Sequence, residues 1–374
     1  MKKTYDLIVI GAGLSSLMFL SQYVKKFNNQ KILLLEQKDI IKQDQTFCVW
    51  EGPGLQSITN NFKLKPKKIW KKIVVRDIEK SIIKDISPYK YVCFDGRETL
   101  EKLLKLCKSK VTVINNKKVN KISSKDNLHE VKTKSEIYYA KFIIDSRVNY
   151  KEHEIKSVFV KQAFIGHEIE VKKATWNENE VELMSFRKNK NEIEFTYLLP
   201  FSSRRALVET TVFSSSPNLK NIGKRHQIQL KKYETYKVKR KESAIIPMAI
   251  IIPDEEKGIL KIGTSAGMVR PSSGYSMRRV ANWVLQLKTR EISSNNLLQY
   301  KYQPNILLNW LDKIFLNVIY NFPEKGPYLF MTLFSKAKTS SLIRFLSDEA
   351  SKSDLINILL SMPKKTMLKG LFKK

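Results

Sequence analysis

Residues 4–36 constrain this chain more than any other stretch. Thr4–Ile10 (TYDLIVI) is apolar almost without a break and predicts a buried strand. Gly11-Ala12-Gly13 follows, then an apolar helix from Leu14 to about Val24, then a second strand from Lys31 to Leu35 that ends on Glu36. That order is the opening βαβ unit of a dinucleotide-binding fold. Gly11 permits the tight turn, and Gly13 lets the backbone approach a pyrophosphate. The helix start offers that pyrophosphate free N–H groups and a partial positive charge. Glu36, at the end of the second strand, is placed to hold a ribose hydroxyl pair. Ser16 stands where the fingerprint has its third glycine, and it is small enough to keep helix and sheet close. The plainer reading of the same pattern is a βαβ unit with a glycine turn and no ligand.

Beyond Glu36 a polar loop leads to TFCVWEGPG (46–54). Short strands are predicted at Ile73–Arg76 and Lys90–Phe94, a helix at Arg97–Cys107, and a strand at Val111–Ile114. A polar meander then runs to about Tyr139, before the apolar strand Phe142–Asp145. From about Ile155 to Ile252 the pattern becomes alternating, as in EIEFTYLLP (192–200) and ALVETTVF (206–213), which predicts an antiparallel sheet. Leu260–Gly263 returns to the first sheet. The last part is helical, with Leu307, Leu308, Leu311, Ile314, Phe315, Val318 and Ile319 on one stripe. Core packing is the first reading of that stripe, and membrane contact or a wall for a greasy substrate the second. The expected architecture is therefore α/β: a Rossmann-like dinucleotide-binding domain (1–154 and 255–300), an inserted antiparallel β-sheet substrate domain (155–254), and a helical C-terminal cap (301–374).

The 374 residues, 42% of them hydrophobic, suffice for a large core and more than one domain. No run of about eighteen apolar residues exists to span a bilayer, and with the first strand opening at Thr4 no signal or transit peptide is expected. Three cysteines (Cys48, Cys93, Cys107) and four histidines, His167 among them, show no metal spacing, so no metal is expected. Such cysteines suit a reducing cytoplasm. The net charge of +32 includes Lys65-Pro66-Lys67-Lys68, Lys71-Lys72 and Lys373-Lys374. It has two readings: a lysine-rich genome, or attraction to a polyanion. Without a helix-turn-helix, zinc-finger or RNP pattern, an anionic membrane surface is a better partner than nucleic acid.

Several segments together resemble one family. TFCVWE (46–51), QAFIG (162–166), YLLPFSSRRALVETTVF (197–213), KESAIIPM (241–248) and IGTSAGMVRPSSGYSM (262–277) are similar, in order and spacing, to the flavin-dependent lycopene cyclases of carotenoid synthesis, of the β-cyclase type. The resemblance runs from about Tyr5 to about Phe345. Ser185 stands where the family usually has an aspartate, Ala244 where it has glycine, and Thr210 where it has a second acid. What the resemblance implies is an isomerase that requires FAD in reduced form, with NAD(P)H as the electron source. Its substrate would be lycopene or a related linear carotenoid, whose ψ end group becomes a β ring, and the protein would sit peripherally on a membrane. Gly263, Thr264, Ala266, Gly267, Gly274 and Tyr275 would join Gly11, Gly13, Ser16 and Glu36 around the flavin.

Ring closure of this kind needs a proton donor, a base and a cation-tolerant pocket. Aromatic faces stabilise a cation without trapping it, which makes Trp50, Phe195, Tyr197 and Phe213, with Glu51, the expected substrate contacts. Strand alternation puts Glu209 on one face with Leu207, Thr211 and Phe213. An acid on an apolar face has a raised pKa and keeps a proton to donate. Glu209 also matches the family's catalytic acid. Its plainer reading is a salt bridge to Arg204 or Arg205. Glu242 matches a second family acid, either the other proton carrier or a structural group. The rival functions are an FAD-dependent oxidoreductase on a lipid-soluble substrate, such as a hydroxylase or prenyl reductase, and a basic binding protein without catalysis.

Overall fold

The computed structural model describes residues 3–372 except 28, 41–44, 126 and 288–295; Lys373 and Lys374 and part of the 255–300 segment lie outside the described residues. In chain order the strands are β1 (Thr4–Ile10), β2 (Ile32–Leu35), β3 (Thr46–Glu51), β4 (Lys68–Trp70), β5 (Lys72–Arg76), β6 (Ser81–Asp85), β7 (Lys90–Asp95), β8 (Val111–Ile114), β9 (Val119–Lys125), β10 (Leu128–Thr133), β11 (Ile137–Asp145), β12 (Val160–Val171), β13 (Glu180–Arg187), β14 (Ile193–Ser202), β15 (Arg205–Ser214), β16 (Tyr236–Met248) and β17 (Ile259–Lys261). The α-helices are α1 (Leu14–Lys26), α2 (Ile58–Phe62), α3 (Gly96–Cys107), α4 (Leu219–Leu230), α5 (Met277–Gln286), α6 (Ile306–Asn321), α7 (Gly326–Lys336), α8 (Thr339–Leu346), α9 (Lys352–Ser361) and α10 (Lys364–Phe372).

Among the described residues these strands form three sheets. The first has the order β8-β2-β1-β11-β10-β9, with β17 beside β11. Its centre is parallel, as a βαβ opening dictates, and β9 and β10 close one side as an antiparallel pair. Helix α1 packs its apolar length, Leu17, Met18, Phe19 and Leu20, against this sheet's core and against α5. Helix α3 begins where the Asp95 carboxylate accepts the Glu98 N–H at 3.1 Å, a side-chain cap on an otherwise open helix end.

The second sheet has the order β16-β12-β15-β14-β13-β5-β6. It is antiparallel except at the β13–β5 pair. A small third sheet, β3-β7-β4, stands beside it. Helix α4 covers one face of the second sheet, and the C-terminal helices close part of the other, where Phe186, Phe195, Phe213, Phe315 and Phe330 meet.

Two expectations change. Residues 115–139 are not a meander: they hold β9, β10 and the start of β11. Their outward residues are Lys, Ser and Glu, which read as loop, while Val119, Val131 and Tyr138 pack inward. The segment 72–85, expected in the first domain, joins the second sheet through β5, because Ile73 and Val75 have their apolar partners far along the chain. The apolar stripe of α6 is core: Leu308, Leu311, Ile314, Phe315, Val318 and Ile319 are buried, and Leu307 faces outward. No helix among the described residues is long and apolar enough to cross a membrane.

Candidate functional site

The first sheet ends in a cradle. Gly11 takes φ +90°, and a side chain there would run into Ser146. Ser146 in turn accepts a hydrogen bond from Ser16 Oγ at 2.9 Å, tying the start of α1 to the end of β11. The helix begins at Gly13 with no side-chain cap, and nothing lies within 4 Å of where a Gly13 Cβ would be. The orphan N–H groups of α1 therefore face open space, the geometry a pyrophosphate requires. Glu36 is buried at the rim. Its Oε2 accepts the Ala12 N–H (2.6 Å) and its Oε1 the Lys38 N–H (2.9 Å), so each oxygen keeps a lone pair for a ribose hydroxyl. Gly263, Thr264 and Ala266 form one 3₁₀ turn, closed by Gly267 at φ +70° and seated against Ser15 of α1. A loop follows this turn, and α5 starts at Met277. Gln162 Oε1 of β12 lies against Gly274 of that loop, buried and without a hydrogen-bond partner.

The second sheet lays its acids in a row. Tyr197 pairs with Glu209, Glu209 with Gly166, and Gly166 with Glu242, across β14, β15, β12 and β16. Directly paired residues share a face, so these four project together. The two glutamates converge over the glycine: its Cβ would lie 3.5 Å from Glu209 Cβ and 3.3 Å from Glu242 Cγ. Two residues along the same face, Glu168 is nearly sealed from solvent. It pairs with Lys67 (2.9 Å), Arg205 (2.5 Å) and Arg240 (3.2 Å). Arg240 also reaches Glu242 at 2.6 Å.

Charge compensation falls along this row, and ionisation follows it. Burial pushes Glu168 up, but its three cations outweigh that and hold it below the ordinary carboxylate range. Glu209 forms no ion pair with Arg204 or Arg205; it accepts one hydrogen bond, from Thr211 Oγ1 at 2.6 Å. Burial first, and the Glu242 charge second, push its pKa well above the usual value. The arrangement is one acid held protonated beside one carboxylate held by a cation, a division of labour that suits proton donation and removal.

A three-tyrosine cluster adjoins Glu209. Tyr91 Oη lies 2.9 Å from Tyr197 Oη and 3.2 Å from Tyr275 Oη. Trp50 packs on the Tyr91 ring at 4.5 Å between centroids. Burial, with Tyr197 and Tyr275 as neighbours, raises the Tyr91 hydroxyl pKa well above its usual value, so it stays neutral. Cys48 stands directly opposite Cys93 on β3 and β7, next to this cluster. The tyrosines therefore join the loop ahead of α5 (Tyr275), the small sheet (Tyr91) and the acid-bearing sheet (Tyr197).

The structure gathers Glu209, Glu242, Tyr197, Trp50 and Tyr275 and sets other expected residues apart. Glu51 Oε1 accepts the Thr59 N–H (2.8 Å) and hydroxyl (2.9 Å) of α2, so one of its oxygens braces that helix. Phe195 and Phe213 are packed against each other and Phe330, as wall rather than open surface. The departures at Ser185 and Thr210 fall on the opposite face: Thr210 bonds His226 of α4 at 3.1 Å, and Ser185 shares that row through Thr196. Tyr91, Arg240 and Thr46 were missed. Arg240 had a signal, since it lies two residues before Glu242 on one strand and so shares its face. Tyr91 had none, because its partners come from three distant segments.

A family model described as lycopene cyclase protein matches residues 6–371. The chain belongs to the lycopene cyclase family. Among curated relatives it is similar to the chloroplastic lycopene beta cyclase of Arabidopsis thaliana, 29% identical over 149 residues, which is 37% of this chain and 28% of that protein. It is also similar to the lycopene beta cyclase of Narcissus pseudonarcissus, 33% identical over 110 residues, or 28% of this chain and 21% of that protein. The matched stretches thus span less than a third of either relative. Among solved structures, a geranylgeranyl bacteriochlorophyll reductase-like protein from Thermoplasma acidophilum aligns with TM-score 0.61 at 13% identity over 99% of both chains. A halogenase solved in complex with FAD aligns with TM-score 0.58 at 11% identity, over 95% of this chain and 90% of that one. These likenesses establish the mixed α/β fold of flavin-dependent oxidoreductases and halogenases, with a helical C-terminal region.

Proposed function

We propose that this protein is an FAD-dependent lycopene cyclase that closes the ψ end group of lycopene into a β ring by acid–base chemistry. The observation that carries this reading is the pair Glu209 and Glu242: two converging carboxyls, one kept protonated by burial and one paired with Arg240. Glu209 donates its proton to the terminal double bond. The second double bond attacks the resulting cation and closes the ring, and a neighbouring C–H proton leaves to a carboxylate. Product and substrate are isomers, so no electrons are consumed. Trp50, Tyr91 and Tyr197 present aromatic faces and neutral hydroxyls, which tolerate a cation.

The cradle of Gly11, Gly13, Ser16 and Glu36 and the 263–267 turn fit FAD. What that group supplies when bound and reduced, with NAD(P)H as electron source, is negative charge close to the cation. A bilayer-soluble substrate calls for a membrane-facing surface. Ile356, Leu359 and Leu360 on α9 and Leu368, Leu371 and Phe372 on α10 are exposed, with Lys352, Lys364 and Lys365 among them. That composition suits peripheral attachment to an anionic cytoplasmic membrane face. Expression in a lycopene-accumulating host tests the function: β-ring carotenoid should replace lycopene. A hydroxylase or prenyl reductase would instead consume NAD(P)H in step with product.

A further inference from the structure

Glu242 is held at one oxygen and open at the other. Arg240 Nη1 donates to Oε2 at 2.6 Å, and Thr46 Oγ1 donates to the same oxygen at 2.9 Å. Arg240 Nη2 donates to that threonine hydroxyl at 2.6 Å, so the three side chains close a ring of hydrogen bonds. Thr46 belongs to the small sheet and Glu242 to the large one, so the clamp works across the gap between them. Glu168 fixes the far end: it accepts from Arg240 Nε at 3.2 Å while held itself by Lys67 and Arg205. Glu242 Oε1 accepts no hydrogen bond from any described residue. A charge-assisted clamp on one oxygen leaves the carboxylate plane, and the position of the free oxygen, little freedom.

That matters for the last step of the proposed reaction, on which this inference rests. Ring closure leaves a cation on a ring carbon with three kinds of neighbouring hydrogen. Loss from the ring carbon bearing the polyene gives the β ring. Loss from the ring methylene on the other side gives the ε ring, and loss from the methyl substituent gives the γ ring. In each case the C–H electron pair becomes the new double bond and the proton passes to the base. The products have the same mass and differ only in where the base stood. We infer that Arg240 and Thr46, by pinning Glu242 Oε2, are positioning residues that decide which hydrogen Oε1 removes, and therefore which ring isomer is released.

The test uses the full-length, flavin-loaded protein with lycopene, its products separated by chromatography. Thr46→Val removes the hydroxyl at nearly constant shape, and Arg240→Lys keeps the charge but loses the planar fork. Either change should raise the share of minor ring isomers by about tenfold, the scale of one lost charge-assisted hydrogen bond. Thr46→Ser, which keeps a hydroxyl, should restore the wild-type product. An unchanged isomer ratio in both Thr46→Val and Arg240→Lys, even with a slower rate, overturns the inference and leaves the clamp a structural one. A wild-type protein that closes no ring overturns the cyclase reading itself, and this inference with it.

Discussion

Gly166 is the point at which the two carboxyls can be pushed apart without touching either. A Cβ there would meet Leu207 Cδ1 at 3.2 Å, Glu242 Cγ at 3.3 Å and Glu209 Cβ at 3.5 Å. The first two separations are a few tenths of an ångström too short. Leu207 is fully buried and Glu242 is pinned at Oε2, so neither gives way freely. Overpacking of this kind costs about 1–3 kcal/mol, and replacing a strand glycine returns about 0.5–1 kcal/mol. Gly166→Ala should therefore lose up to about 2.5 kcal/mol in denaturant unfolding at pH 5. Its pH dependence is the sharper signature. The folded-state pKa of Glu209 is raised by burial and then by the Glu242 charge, so its contribution to stability is full below the unfolded carboxyl pKa and is lost as pH rises through the folded value. Moving Glu242 away lowers that folded value. The variant should lose less stability between pH 5 and pH 9 than the wild type, and the alkaline limb of its pH–rate profile should move to lower pH. A variant with wild-type stability, rate and alkaline limb would refute the convergence of the two acids over Gly166.

Three further outcomes are expected. Tyr91→Phe keeps the ring and deletes both hydroxyl contacts, at about 0.5–1.5 kcal/mol each; thermal unfolding should show the loss, and cyclisation should slow with flavin still bound. Gly13→Leu should fold, since nothing lies within 4 Å of its Cβ, yet stay colourless after incubation with FAD because the side chain fills the pyrophosphate space; circular dichroism and flavin absorbance read the two properties separately. In vesicle flotation, Leu360→Asp should weaken binding to neutral and anionic vesicles alike. High salt should weaken only the anionic case, because charge attraction is screened beyond about 8 Å at physiological ionic strength; wild-type binding that is equal on both vesicle types would attribute the +32 charge to composition alone.

The opening βαβ unit was legible because it is local: Thr4–Ile10, the glycine turn and Glu36 all lie within one stretch. The β14–β15 hairpin was legible for the same reason, and its alternation placed Glu209 on the face it occupies. The partnership of β5 with β13 was not, because no residue in 72–76 encodes a partner at 180–185. The acid pair was half legible. Glu209 and Glu242 could be named singly, but their convergence depends on a third strand, β12, whose Gly166 lies between them. Thr210 and Ser185 stand out in the sequence only as departures from the family pattern. Strand pleating sends them to the α4 face, where Thr210 bonds His226, whose pKa burial lowers to about 4. The Glu51 contact with the start of α2 was not legible, since nothing around Trp50-Glu51 signals a helix start eight residues on.

The central claim is that the Glu209 carboxyl supplies the proton that starts ring closure. Glu209→Gln keeps the shape and the Thr211 contact but has no acidic proton to give. In purified, flavin-loaded protein the rate of lycopene cyclisation should fall at least about 100-fold, the lower end of what general acid catalysis contributes. FAD content and thermal stability should match the wild type. A Glu209→Gln protein that holds its flavin and cyclises lycopene at a near-normal rate would contradict the account.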